Sequence, residues 1–264
     1  MNRPNVIETD RTGQVRSVVR ALSLLRLIGA SENGLTLTEV ADRAQLPPST
    51  THRLLTTLEG ERFLRFDPAA GLWQVGVSAF VVGSAFARTR NLIGLAKPYL
   101  RRLVDLTGET ANLFVESSGH VVCLDQVESR FTMRAITQVG GRVPMHASGS
   151  GKAILAFLSA ERRDQILGSG PLDKIAKATI TDRSAFTQAL LEIRQTGTAF
   201  DDEEHADGLR CVAAPIIGEN GQPVAAVSVS GPDTRLTRER LPDIRQHVRR
   251  IAGEITAEFG GVRT

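Results

Sequence analysis

The segment 36–58 combines a capped helix start, a proline-bearing turn and a second helical stretch, and it restricts the fold more than any other part of the chain. Thr36 and Glu39 have the spacing of a capping box, in which each side chain accepts a hydrogen bond from a backbone N–H of the other residue. The first helix should end near Gln45, because the pair Pro47-Pro48 follows and a residue before proline disfavours the α region. The segment therefore predicts a helix-turn-helix.

The second helix of this motif, predicted over 48–59, has one apolar face and one hydrogen-bonding face. The apolar face contains Thr51, Leu54, Leu55 and Leu58, and the opposite face contains Ser49, His52, Arg53, Thr56 and Thr57. An ordinary amphipathic surface helix is the alternative interpretation, but such a helix more often exposes Glu and Lys. Arginine can bond guanine in a fork, and hydroxyls and imidazoles reach base edges or phosphates. The residues that we predict to contact DNA are Ser49, Thr50, His52, Arg53 and Thr56.

The flanking segments extend the motif. Apolar residues at helical spacing predict a further helix over 15–28, and strand-like runs at 63–66 and 72–75 are joined by a turn signal at 67–71. Three helices and a hairpin make a winged helix-turn-helix. Net charge does not decide the matter, because eight arginines oppose six carboxylates between residues 11 and 76. DNA affinity would then depend on where the charges lie and on the second DNA-binding domain that a dimer provides.

Further motifs follow in order from about residue 14 to about residue 258. They are Leu54–Glu59, Gly108–Leu113, Val139–Gly149, Gly151–Ala153, Asp201–Glu204, Gly208–Pro215 and Ser228–Pro232. Together these stretches resemble the signature sequences of the IclR-type family of bacterial transcriptional regulators. So many ordered matches are more specific than any single motif.

The resemblance implies an α+β protein of two domains. We expect a disordered arm over 1–13, a winged helix-turn-helix domain over 14–76, a linker helix over 77–94 and a GAF-like α/β effector-binding domain over 95–264. The apolar linker would help to pair two DNA-binding domains, or it would pack on its own effector domain. Within the effector domain we predict strands over 112–116, 121–126, 132–137, 211–217 and 224–230, and helices over 98–107, 152–158, 160–167, 183–196 and 241–258.

The bulk properties are those of an ordinary globular protein, with 41% hydrophobic and 23% charged residues among 264. The N-terminus has no signal pattern, because Glu8 and Asp10 interrupt it, and the most apolar stretch, 79–87, is too short to span a membrane. Two cysteines, Cys123 and Cys211, do not make a disulfide framework. We therefore expect a cytoplasmic protein without membrane association.

Three motifs could indicate catalysis, but each also has a feature that argues against it. Gly149–Lys152 is similar to the end of a phosphate-binding loop, but that loop would need glycine at His146. The run 201–205 is rich in metal-ligand types, yet consecutive residues fan out from the backbone, so we expect a capped loop with one or two inward carboxylates. Cys211 with His146 or His205 could form a nucleophile and its base, although buried cysteines mostly act as small apolar residues. We expect no catalytic residue, no metal and no cofactor.

The resemblance also implies that a small carboxylate-bearing metabolite binds between a helix start and two strands. The corresponding residues here are Gly149, Ser150, Asp201, Cys211, Ser228 and Ser230. Backbone N–H groups at a helix start favour an anion, and hydroxyls at alternating strand positions face one side. Family members often carry alanine where this chain has Ser150, so the extra hydroxyl would narrow and polarise the pocket. Because Asp201 would repel an anion that donates no hydrogen bond, we expect a hydroxy- or oxo-acid.

These features together predict a sequence-specific DNA-binding transcriptional regulator, a repressor, whose operator binding responds to a small organic acid. Its partners would be a double-stranded operator with an inverted repeat and further copies of the chain in a homodimer or homotetramer. One alternative is a ligand-binding protein or thiol-dependent enzyme that carries a DNA-binding domain. Another is an architectural DNA binder without an effector, which the long second domain argues against.

Overall fold

The computed structural model describes residues 15–90, 92–132 and 137–262, with the backbone alone for residues 84–90. The chain divides into two compact units, residues 1–90 and 91–264. The arm predicted over 1–13 and most of the strand predicted over 132–137 lie outside the described residues. No helix within the described ranges combines the length and the apolar character needed to cross a membrane.

The first unit is a winged helix-turn-helix. Its elements are α1 (Arg16–Gly29), α2 (Leu37–Ala44), α3 (Pro48–Gly60), β1 (Leu64–Asp67), β2 (Leu72–Val75) and α4 (Val77–Arg90). The predicted capping box is present, because the Thr36 hydroxyl accepts from the Glu39 N–H at 3.3 Å and the Thr36 N–H donates to the Glu39 carboxylate at 2.8 Å. Helix α2 ends where Gln45 adopts a left-handed conformation with φ 52°.

A small core holds the three helices and the wing together. It contains the buried side chains of Leu24, Ile28, Leu35, Val40, Ala44, Leu55, Leu64 and Trp73. Strands β1 and β2 pair in antiparallel fashion from Leu64 opposite Val75 to Asp67 opposite Leu72. The wing is also tied to the segment before α2, because Leu35 and Trp73 exchange backbone hydrogen bonds of 3.0 and 2.8 Å.

The second unit is built on one antiparallel sheet. Its elements are α5 (Leu92–Thr107), β3 (Thr110–Ser117), β4 (His120–Val127), β5 (Arg142–Pro144), α6 (Gly149–Phe157), α7 (Ala160–Leu167), α8 (Arg183–Thr196), β6 (Ala199–Asp202), β7 (Leu209–Ile217), β8 (Pro223–Pro232) and α9 (Leu241–Glu258). The six strands follow the order β5-β4-β3-β8-β7-β6, and every neighbouring pair is antiparallel. Helices α5 and α9 pack on one face of the sheet, and α6 and α8 pack on the other.

Three local expectations need correction. Pro98 lies inside α5 instead of starting it, because Leu92 and Ala96 in the first turns are buried in the core and their packing offsets the lost backbone hydrogen bond. Helix α6 starts at Gly149, three residues before the predicted start, because Ser148 caps it. Strands β5 and β6 were not predicted, since runs of 3 and 4 residues carry too little periodicity to be recognised.

Candidate DNA interface and effector site

The outward face of α3 is polar and exposed, as its sequence predicts. Ser49, His52, Arg53 and Thr56 are exposed, and Thr50 is partly buried. The Thr56 hydroxyl donates to the carbonyl of His52 at 2.9 Å, so its oxygen keeps only acceptor capacity for a further partner. Arg53 forms no ion pair with any described residue, and its five N–H donors can therefore serve a base or a phosphate.

The wing is packed against this helix through an aromatic contact. The buried ring of Trp73 on β2 lies perpendicular to the His52 ring, with centroids 6.5 Å apart and planes at 88°, and its centroid lies 5.0 Å from that of Phe66. The contact restricts the orientation of His52 on the outward face. Sequence reasoning missed this arrangement, because nothing local to His52 indicates which residue of the wing lies beside it.

In the second unit, strand register gathers polar residues from distant parts of the chain. Ser230 on β8 lies opposite Thr110 on β3 and opposite Cys211 on β7. Cys211 in turn lies opposite Asp201 on the edge strand β6. In the adjacent row, Ser228 lies opposite Asn112 and Ala213. Directly paired residues share one face of a sheet, so these side chains form a single polar patch under α6.

The first turn of α6 lies directly on this patch. The Ser148 hydroxyl accepts from the N–H of Gly151 at 3.1 Å and so caps the helix. A Cβ atom on Gly149 would lie 3.0 Å from the Cys211 sulfur, and one on Gly151 would lie 2.2 Å from the Met145 carbonyl oxygen. Both glycines therefore allow the helix start to approach the sheet and the preceding strand closely. Ser150 lies between them and is only 2% exposed.

Three buried polar atoms in this region have no hydrogen-bond partner among the described residues: the hydroxyls of Ser150 and Ser228 and the side-chain oxygen of Asn112. The Asn112 amide donates to the Ser230 hydroxyl at 3.4 Å. A buried polar atom that stays unsatisfied costs about 1–3 kcal/mol. The patch therefore keeps unused hydrogen-bonding capacity for a bound molecule. Asn112 was not among the predicted site residues, because only the strand register shows that it lies beside Ser228.

The thiol of Cys211 is unsuited to nucleophilic chemistry. Burial, reinforced by the nearby Asp201, raises the pKa of Cys211 to about 12, so the thiol stays protonated at neutral pH. His146 lies with Nε2 2.8 Å from the carbonyl oxygen of Asp173. Burial also lowers the pKa of His205. Within the described residues, no cluster of His, Cys, Asp and Glu is arranged to hold a metal ion.

A buried charged network borders the patch. The Lys152 ammonium donates to the Phe200 carbonyl at 2.7 Å and to the Glu204 carboxylate. The Asp201 carboxylate accepts from the Glu204 N–H at 2.7 Å, which gives the capped loop with inward carboxylates that the sequence predicts. Burial raises the pKa of Asp201 to about 7, although the Lys152 charge acts in the opposite direction. Asp201 can therefore carry a proton near neutral pH and donate a hydrogen bond. The Lys152–Glu204 pair itself was not predicted.

A winged helix-turn-helix with a polar recognition face and a separate domain with a buried polar patch define a DNA-binding transcriptional regulator with its own ligand-binding domain. Two family models match the chain: the IclR helix-turn-helix domain over residues 17–68, and the bacterial transcriptional regulator IclR C-terminal domain over residues 84–257. The chain belongs to the IclR family of bacterial transcriptional regulators. It is thus a regulator and not an enzyme, and the architectural DNA binder is excluded as well.

Relatives match over nearly the full length. The transcriptional repressor IclR of Escherichia coli strain K12 is 43% identical, with 99% of this chain and 96% of the relative covered. The acetate operon repressor of Salmonella typhimurium is likewise 43% identical, with the same coverage. An IclR homologue from Microbacterium hydrocarbonoxydans, solved in complex with 4-hydroxybenzoate, has a TM-score of 0.82 at 24% identity and covers 92% of this chain and 98% of its own. This last likeness shows a shared fold.

Proposed function

We propose that this regulator is a repressor whose operator binding is controlled by a small hydroxy- or oxo-acid in the polar patch of the second unit. The names of the two relatives at 43% identity support repression. The observation that carries the ligand assignment is the set of buried, unpartnered side-chain oxygens of Ser150, Ser228 and Asn112 beneath the start of α6.

Each part of the proposed site has a separate role. The N–H groups of Gly149 and Ser150 lie in the first turn of α6, where a helix offers its own donors no partner, so they suit a carboxylate. Ser228 and Ser230 add hydroxyl donors from the sheet. Asp201 can carry a proton near neutral pH and would then contribute a further donor in place of a repelling charge, and Cys211 closes the polar end beside it.

The chemistry of these groups restricts the ligand. Several donors converge on one end of the site, while the same face of the sheet continues into the apolar cluster around Phe114, Ala213 and Ala226. A small acid would suit both the donors and the apolar cluster if it has a second oxygen, either on the carbon next to the carboxylate or at the para position of a ring, and a small apolar body. The 4-hydroxybenzoate in the Microbacterium homologue is one molecule of this class. Its presence in a protein with the same fold supports the proposal.

The test is calorimetric titration of full-length protein with a panel of small hydroxy- and oxo-acids that includes 4-hydroxybenzoate. Ser228→Ala with Ser230→Ala should weaken the tightest binder at least about tenfold, because one charge-assisted hydrogen bond contributes about 1.5–3 kcal/mol. A control with the exposed serines, Ser169→Ala with Ser184→Ala, should leave its affinity unchanged. Equal affinity in the parent and the buried-serine variant would place the ligand elsewhere.

For the DNA side, we propose that Ser49, Thr50, His52, Arg53 and Thr56 contact an operator with two inverted half-sites. The first unit exposes an apolar surface on α1 and α4, where relative exposures are 53% for Val18, 48% for Leu22, 75% for Phe80 and 55% for Val81. Each of these two helices thus carries apolar side chains that its own unit leaves uncovered, and exposed apolar groups of this kind mark an interaction site. A second copy that covers it would form a homodimer, with paired recognition helices related by a two-fold axis.

Assembly is tested by sedimentation and footprinting together. Phe80→Asp should shift the protein towards smaller assemblies and weaken operator binding, because a charge would be buried in the proposed interface. Leu191→Asp, at a residue that is 51% exposed on α8 in the other unit, provides the matched control. A monomeric parent protein at micromolar concentration with a footprint over one asymmetric half-site would contradict both the dimer and the inverted repeat.

A further inference from the structure

A groove of about 880 Å³ lies at the open edge of β7, and none of the proposed effector residues lines it. Strand β6 pairs only with residues 210–213 of β7, so the edge of residues 214–217 has no strand beside it. The end of α8 and one side of α9 form the walls. Four arginines and a single glutamate line the groove: Arg194, Arg245, Arg249, Arg250 and Glu254.

The positive charges in this groove are poorly compensated. Glu254 accepts a hydrogen bond from Arg102 at 2.7 Å and lies 3.9 Å from Arg250, so its charge is already shared. Arg194, Arg245 and Arg249 form no ion pair with any residue in the described part of the chain. Arg245 lies over the Phe200 ring at 5.7 Å, and its buried Nε has no hydrogen-bond partner there.

A purely structural role for these arginines accounts for only part of the charge. Arg194 lies in the last turn of α8, and the Arg249 side chain approaches the helix end at Gly197, where a Cβ atom would meet its Nε at 3.1 Å. A helix C-terminus carries about half a negative charge. One of the two arginines is enough to match that partial charge. The charges of the other arginines that line the groove are then not compensated by the helix end.

The floor of the groove has a different character. We use this name for the apolar residues among those that line the groove, which include Phe157, Ala214, Pro215, Ile217 and Ala252. Arginine is the side chain best suited to phosphate and carboxylate groups, because its planar fork can donate two parallel hydrogen bonds and can also stack on flat rings. Sites for small molecules have volumes of roughly 300–1,000 Å³. The groove thus combines anion-binding groups, an apolar surface and the size of a small-molecule site.

We propose that this groove is a second ligand site, which binds a small polyanion with a planar or apolar body of about the size of a nucleotide. The anionic groups lie against Arg194, Arg245 and Arg249, and the body of the ligand lies on the apolar floor. The site is separate from the proposed effector patch in residues and in ligand chemistry, so the regulator has two small-molecule inputs in one domain.

The experiment uses full-length protein and three probes: ADP, inorganic pyrophosphate and adenosine. Calorimetry should show ADP binding most tightly, pyrophosphate binding more weakly because it lacks the planar body, and adenosine showing no measurable binding. Arg194→Gln with Arg249→Gln, both at exposed positions, should weaken ADP binding at least about tenfold, since two charged hydrogen-bonding groups are lost. Arg245→Gln is a second, independent variant.

Two controls separate this site from general charge effects and from the effector patch. Arg101→Gln removes an exposed arginine of α5 and should leave ADP affinity unchanged. Ser228→Ala with Ser230→Ala should also leave it unchanged. The proposal is overturned if millimolar ADP and pyrophosphate do not bind, if the groove variants bind ADP like the parent, or if Arg101→Gln weakens it as much as they do.

Discussion

Lys152 donates a hydrogen bond to the carboxylate of Glu204 in the interior of the second unit, where the two side chains are 2% and 7% exposed. Each charge loses its hydration there, and their mutual attraction must offset that loss. The pair also links two chain segments that border the proposed effector patch, because Lys152 belongs to α6 and Glu204 follows the edge strand β6.

Removing one partner of this pair should be strongly destabilising. Lys152→Met leaves the Glu204 carboxylate buried without its cation, and we expect a loss of about 3–5 kcal/mol in the free energy of unfolding. Lys152→Met combined with Glu204→Leu should recover a large part of that loss, because no unpaired charge remains. Denaturant titration of the full chain measures both. Arg102→Met, at a partly exposed ion pair, should cost no more than about 1 kcal/mol.

The stability of the second unit should depend on pH through Asp201. Its pKa in the folded protein is about 7, above its ordinary value of 3.8, so the folded state binds this proton more tightly than the unfolded state. The associated stability is complete below about pH 4 and is lost as pH rises through 7, with a slope of at most about 1.4 kcal/mol per pH unit. Thermal unfolding between pH 5 and 8 should therefore show a shallower decline for Asp201→Asn. The exposed Asp164→Asn should retain the slope of the parent, and an equal slope in all three proteins would refute the assignment.

Operator recognition should depend on Arg53. Arg53→Ala should weaken binding to the operator by about 1–3 kcal/mol if the side chain contacts a base in a fork, and should affect a scrambled sequence much less. Fluorescence anisotropy with both DNA duplexes measures the difference. Arg101→Ala removes the same charge from α5 of the other unit and should leave both affinities unchanged. A folded Arg53→Ala protein with parental operator affinity would show that another face of α3 meets DNA.

Two helical glycines should respond oppositely to alanine. In Gly151→Ala the new Cβ would lie 2.2 Å from a backbone oxygen, so α6 must shift and we expect a loss of at least about 2 kcal/mol. At Gly253 in α9, no atom outside the local helix backbone lies within 4 Å of the corresponding position, and Gly253→Ala should stabilise the protein by about 0.5–1 kcal/mol. Chemical denaturation compares the two, and a similar effect of both substitutions would contradict the close packing of α6.

Features that depend only on residues close together in the sequence could be predicted from it. The capping box of Thr36 and Glu39, the stop at Gln45 and the division of α3 into a buried and an exposed face follow from local rules of helix geometry. The wing could be located because a turn signal separates two strand-like runs. The resemblance to a known family then supplied the two-domain order and the candidate effector residues, whose roles remain predictions.

Features that depend on tertiary pairing could not be predicted in this way. The register that places Asn112 beside Ser228 joins residues far apart in sequence, and no local pattern specifies it. The partner of Lys152 was hidden for the same reason, since a lysine in a helical segment is usually exposed to solvent. Pro98 in α5 shows the reverse case, in which packing of the surrounding helix overrides a strong local signal.

The strand that carries Ser228 and Ser230 is held on both sides by hydrogen-bonded neighbours, β3 and β7. It cannot move without breaking two ladders of hydrogen bonds, so we expect it to stay fixed when a ligand binds at the proposed effector site. Asp201 belongs to an edge strand with one neighbour only, and the turn that follows it is fastened to α6 through Glu204 and Lys152. We therefore expect a ligand bonded to Asp201 in the proposed site to displace the edge strand β6 more readily than β8, and the displacement to reach α6 through Glu204 and Lys152.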